Sequence, residues 1–176
     1  MKEVFECFAT AKKSDNKGKK HKGLLIIEKD EKTAAEYIEK AKKSIELCYA
    51  LKEQRFDYKI PEEWYYTLYY CALAILAKYG IESRSQRCTA LFLKYVNEKH
   101  LLDLNPEFIN RITVYSEKEF TSDVDEREKA RYGSTVQSEE IMQKFDYMMN
   151  VCKKSISDTE EIIYSKNEFT IPHEFK

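Results

Sequence analysis

Apolar and polar positions alternate in helical rhythm along most of this chain, and in one stretch the polar face disappears. Trp64-Tyr65-Tyr66-Thr67-Leu68-Tyr69-Tyr70-Cys71-Ala72-Leu73-Ala74-Ile75-Leu76-Ala77-Lys78-Tyr79-Gly80 leaves no stripe for water. Pro61, Glu62 and Glu63 suit the first turn of a helix, and Gly80 suits its end. A helix apolar all round is a central one, surrounded by other helices or by a partner subunit. At roughly 18 residues it approaches membrane-spanning length. Tyrosine dominates its first half and charges crowd both ends, so it is read as the hub of a soluble bundle.

Amphipathic helices are expected around the hub. Ala34, Ile38, Ala41, Ile45 and Cys48 recur at spacings of four and three, predicting a helix from Glu31 to Arg55. Thr33 and Glu36 have capping-box spacing, with Asp30 a competing cap. Beyond Gly80, Ser83 and Gln86 have the same spacing and predict a helix through Lys99. Asn105-Pro106-Glu107 starts another, carrying Phe108, Ile109, Ile112, Val114 and Tyr115. A short piece is expected from Asp125 to Tyr132, closed by Gly133. Ile141, Phe145, Met148, Cys152, Ile156, Thr159 and Ile163 form the seam of a last helix, Ser138 to Tyr164.

The ends are less regular. Val4, Phe5, Cys7 and Phe8 form an apolar cluster ahead of a lysine-rich segment, Lys12 to Gly23, which reads as a mobile loop. Leu24 to Ile27 fits a short strand or an apolar turn. Residues 165–176, with Pro172, read as an extended or frayed tail. The expected architecture is all-α: an up-and-down bundle of about five helices over residues 31–164, with an N-terminal appendage, 1–30.

Charge narrows the partners little. The 176 residues carry a net charge of −1, so no strongly basic footprint marks the whole chain. The five cysteines lack C-x-x-C spacing and read as reduced core thiols of a cytoplasmic protein. No secretory signal pattern opens the sequence. Neither a metal site nor a cofactor is expected, because His21, His100 and His173 lie outside helix interiors and away from Glu-x-x-His spacing. Glycines are too dispersed for a phosphate loop.

Arginine carries the candidate chemistry. Arg84 and Arg87 lie in the first turn after Gly80, where positive charge opposes the helix dipole. That conflict points to an anionic ligand or to acidic partners; the alternative is a solvated turn with surface ion pairs. Arg127 and Arg131, four apart, have spacing to clamp a phosphate, unless Glu126 and Glu128 neutralise them. Tyr132 follows directly. The Lys12 to Lys22 segment offers nonspecific attraction to nucleic acid or serves as a solubilising loop.

The order of these pieces resembles the HEPN domain (higher eukaryotes and prokaryotes nucleotide-binding), in its small-protein branch. The resemblance rests on Ala41-Lys42-Lys43-Ser44-Ile45, the hub ending Ala72-Leu73-Ala74-Ile75-Leu76-Ala77-Lys78-Tyr79-Gly80-Ile81-Glu82, a serine-initiated helix with Leu91-Phe92, and Arg127-Glu128-Lys129-Ala130-Arg131-Tyr132. It implies an all-α, usually homodimeric protein of a toxin–antitoxin or defence system. The implied roles are a nucleotide- or RNA-binding module, a metal-independent ribonuclease, or a partner of a small nucleotidyltransferase, with no membrane contact. The ribonuclease pattern, an Arg followed after four to six residues by His, is missing here. Ser85-Gln86 stands where that branch often has Ser-His, and Gln86 does not titrate near neutrality. The expectation is therefore binding through Arg84, Arg87, Arg127, Arg131 and Tyr132. Tyr65, Tyr66, Tyr69 and Tyr70 are read as packing in the core or at a dimer interface.

Overall fold

The computed structural model describes residues 2–113, 138–166 and 170–175. Among them are six α-helices and one two-stranded sheet. In chain order these are α1 (Lys2–Asp15), β1 (Leu24–Ile26), α2 (Glu31–Glu53), α3 (Ile60–Lys78), β2 (Ile81–Ser83), α4 (Gln86–Glu98), α5 (Pro106–Ile112) and α6 (Ser138–Tyr164). Short 3-10 turns lie at Asp57–Lys59 and His173–Phe175.

The hub is where its composition puts it. No residue of α3 is fully exposed; only Glu62, Glu63, Tyr66, Tyr69, Tyr70 and Lys78 are half-buried, and the others are buried. Trp64, Tyr65, Leu68 and Ile75 are among the largest fully enclosed side chains. Removing each such side chain from water contributes about 2–3 kcal/mol, which makes α3 the packing axis. The expected stripe on α2 and the expected seam on α6 are both buried against the core. Among the described residues, no helix is long and apolar enough to cross a membrane.

Helix ends follow local chemistry. Asp30, not Thr33, caps α2: its Oδ1 accepts the Thr33 amide at 2.8 Å and its Oδ2 the Thr33 hydroxyl at 2.7 Å. Asn105 caps α5 through the Glu107 amide. Gly80 takes φ +75° beyond α3. A side chain there would put its Cβ 2.6 Å from the Ile27 carbonyl oxygen, so both conformation and space require glycine.

Four expectations are corrected. The cap of α4 is Ser85, whose Oγ accepts the Cys88 amide at 3.3 Å. Ser83 belongs instead to β2, opposite Leu24, and its hydroxyl contacts that of Thr89. Strand pairing therefore delays the helix by two residues. The N-terminal segment is helical through Asp15, so Lys12 and Lys13 occupy its last turn. Val4, Cys7, Phe8 and Ala11 make a buried stripe on α1.

The C-terminal segment is docked, not frayed. Phe175 is 7% exposed. It stacks on Phe8 at 4.9 Å and meets Phe5, Phe92 and Tyr95 at 4.9, 6.0 and 5.2 Å. The Tyr95 hydroxyl donates to Glu174. Appendage, bundle and tail thus share one hydrophobic core.

The cysteines divide. Cys7 and Cys88 form a disulfide joining α1 to α4 across 81 positions of sequence, which overturns the reading of five reduced thiols. Cys48, Cys71 and Cys152 are buried thiols outside any disulfide. Burial pushes the Cys48 and Cys71 thiols up to about 12.

Phe175→Ala is expected to cost about 3 kcal/mol, the range for removing an enclosed aromatic ring. Urea denaturation measures it; an effect below about 0.5 kcal/mol, typical of surface positions, would restore the frayed tail.

Candidate functional site

The sheet is small, but it brings two distant basic segments together. Leu24 pairs with Ser83 and Ile26 with Ile81 in antiparallel register. The Arg84 amide then donates to the Gly23 carbonyl at 3.0 Å. The end of the lysine-rich loop therefore lies against the start of the arginine segment. Lys12, Lys13, Lys17, Lys19, Lys20, Lys22, Arg84 and Arg87 are all exposed on these two segments. Along the chain they are separated by some sixty residues and look like unrelated features.

Local backbone chemistry shapes the corner. Gly18, at φ +63°, closes α1, and the Lys19 amide reaches back to the Ser14 carbonyl at 3.1 Å. Gly23 passes so close to α1 that an added Cβ would lie 2.3 Å from the Cys7 carbonyl oxygen. The loop end is thus held between Cys7 and Arg84.

The arginines are not bare. Arg84 Nε donates to Glu82 Oε1 at 2.6 Å, and Arg87 pairs with Glu3 of α1. Both pairs are solvent-exposed, a class worth about 0–1 kcal/mol, so neither locks its guanidinium away from a stronger anion. Arg84 precedes α4, while Arg87 sits in its first turn. Arg127, Arg131 and Tyr132, with the expected 125–132 helix, Gly133, Val114 and Tyr115, lie outside the described residues.

His21 is a member of this corner that the sequence pattern does not single out. It is 4% exposed rather than part of a free loop. Its Nε2 lies 3.4 Å from Glu82 Oε2, within ion-pair range but not aligned for a hydrogen bond. Burial works to raise the Glu82 carboxyl, but Arg84 and His21 outweigh it and hold it below the ordinary value. The only sequence signal is His21-Lys22-Gly23-Leu24, a histidine three residues before an apolar strand.

The other histidines serve elsewhere. His100 closes α4 in the left-handed conformation at φ +54°, its amide donating to the Asn97 carbonyl at 2.9 Å. His173 is exposed in the C-terminal turn. Among the described residues, no group of three metal-ligating side chains converges.

A cleft of about 950 Å3 opens between α3, the α4–α5 connection and α6. Asp103, Asp158 and Glu161 line it against Lys154 alone, and Lys154 already bonds Asp158 at 2.9 Å. An anionic ligand would be repelled there. The basic corner is the better candidate for one.

No protein-family model matches the chain, and neither curated proteins nor solved structures give a match. The residues alone carry the functional argument.

A carboxyl held below its ordinary value stabilises the fold above its unfolded range, near 4.5, and loses that contribution as pH falls through the lower folded value. Glu82→Gln is therefore expected to flatten the acid-side loss of stability. Urea midpoints measured between neutral pH and the folded carboxyl's range check this; an unchanged acid limb would contradict it.

Proposed function

We propose that this chain is a HEPN-like binding module that holds RNA or a nucleotide at its basic corner. The observation that carries the reading is the Arg84–Gly23 hydrogen bond, which sets the lysine-rich loop beside Arg84 and Arg87. Arginine forks and mobile ammonium groups together suit phosphate recognition. The helical bundle around an aromatic hub is consistent with the resemblance. Arg127, Arg131 and Tyr132 remain candidate contributors by their sequence spacing alone.

Binding is favoured over cleavage. The one histidine at the corner is enclosed and faces Glu82, away from any substrate in solution. A ribonuclease needs a group able to move a proton at the scissile phosphate, and Gln86 cannot supply one.

A second reading, association with another protein, has its own support. Tyr49, Phe56, Tyr58, Tyr147 and Tyr164 are exposed aromatics, and aromatic side chains are favoured anchors of protein interfaces. The partner in this reading is a second copy or a nucleotidyltransferase. Sedimentation of the purified chain, alone and with such a protein, distinguishes the two.

Fluorescence titration with labelled single-stranded RNA and with a fluorescent adenine nucleotide tests the first reading. Arg84→Ala/Arg87→Ala and Lys19→Ala/Lys20→Ala/Lys22→Ala are each expected to weaken RNA binding and lower its salt dependence. The slope should fall by about 0.7 for every phosphate that a variant no longer neutralises. An Arg127→Ala/Arg131→Ala variant reports on the second arginine pair. Equal affinity across wild type and all three variants would sink the site assignment.

A further inference from the structure

We infer that the Cys7–Cys88 disulfide is a reversible redox latch on the basic corner, opened by a small thiol of the glutathione class. The inference rests on the reading of that corner as a polyanion site. The bond joins the two elements that supply the corner's charges: α1 leads into the lysine loop, and α4 carries Arg87 next to Cys88. Gly23 packs directly on the Cys7 backbone, so freeing Cys7 loosens the packing that seats the loop against Arg84.

The bonded cysteines are less deeply buried than the other three. Cys7 and Cys88 belong to residues 7% and 9% exposed, whereas Cys48, Cys71 and Cys152 are at 0%. Cys88 is also a good leaving group. It occupies the first turn of the 13-residue α4, its amide capped by Ser85. A helix N-terminus stabilises a departing thiolate.

The exchange balances with two glutathione molecules. One thiolate attacks Cys7 Sγ, the S–S bond breaks, and Cys88 departs as thiolate. A second glutathione thiolate attacks the glutathione sulfur of the mixed disulfide and releases Cys7. The protein disulfide gains two electrons and, with the protons shed by the two thiols, becomes two thiols. The products include oxidised glutathione.

Opening is local. Val4 and Phe8 remain in the core, and Phe5 and Phe8 remain against Phe175. What goes is the covalent register between α1 and α4; the exposed Arg87–Glu3 pair and the Phe8–Phe92 ring contact at 5.7 Å remain between them.

The test uses the full chain, oxidised or incubated with excess reduced glutathione. Thiol titration without denaturant should show two additional reactive thiols, which disappear again in oxidised glutathione. Trypsin should then cut faster within residues 16–22. Affinity for labelled single-stranded RNA should fall roughly tenfold, the share of about two neutralised phosphates. The Cys7→Ala/Cys88→Ala variant should behave as the reduced protein in both assays, whatever the redox condition. No increase in thiols, or an increase that leaves loop cleavage unchanged, would overturn the latch. Redox-dependent cleavage in a protein that binds no RNA in either state would keep the latch and overturn the RNA reading.

Discussion

The enclosure of α3 is the constraint on which the rest of this structure depends. A helix with no polar stripe has a large free-energy cost in water, so every other element must supply apolar surface to cover it. α2 and α6 do so along their length, with Ile38, Ile45, Phe145 and Ile156 among the buried contributors. Shorter elements close what remains. The small β1–β2 sheet follows directly from the C-terminus of α3, because Gly80 reverses the chain where no side chain fits beside Ile27. The basic corner is therefore a by-product of how the hub is ended.

That ending also explains why the charges meet. The Ile27 amide donates to the Gly80 carbonyl at 2.9 Å, and the ladder runs on to the Arg84–Gly23 bond. Moving the register by one residue would turn Leu24 and Ile81, both buried, to the opposite face. Hydrophobic register therefore fixes an electrostatic arrangement. Lysines of one segment and arginines of another are neighbours because Leu24 and Ile81 must face inward.

The parts of the fold legible in the sequence are those with long periodicity. The stripe from Ala34 to Cys48, the seam from Ile141 to Ile163 and the apolar run after Pro61 each repeat over several turns, long enough for a pattern to outweigh local accident. What the pattern does not show depends on partners far along the chain. Ser83 has capping-box spacing to Gln86, but a strand opposite it claims the residue first. Phe175 looks like a tail residue until Phe5, Phe8 and Phe92 are brought around it. The disulfide has no local signature at all, since nothing near Cys7 or Cys88 announces the other. Val4, Cys7, Phe8 and Ala11 do carry a helical stripe; the lysines that follow mask it. For the candidate site, the residue types of Arg84 and Arg87 are legible, but their neighbours are not.

The electrostatics explain why those neighbours matter more than the arginines themselves. With a net charge of −1, the protein has no long-range field to draw a polyanion. Attraction must come from cations that act together within a Debye length, about 8 Å at physiological salt. Two arginines facing Glu82 and Glu3 supply little net charge on their own. The lysine loop supplies the excess, and only if it stays close. Backbone bonding at Gly23 and the covalent tie at Cys7, whose Cα lies 5.8 Å from that of Cys88, hold the end of the lysine loop and α1 against the arginine segment. Geometry held by uncharged groups thus decides whether a nearly neutral chain presents a positive surface.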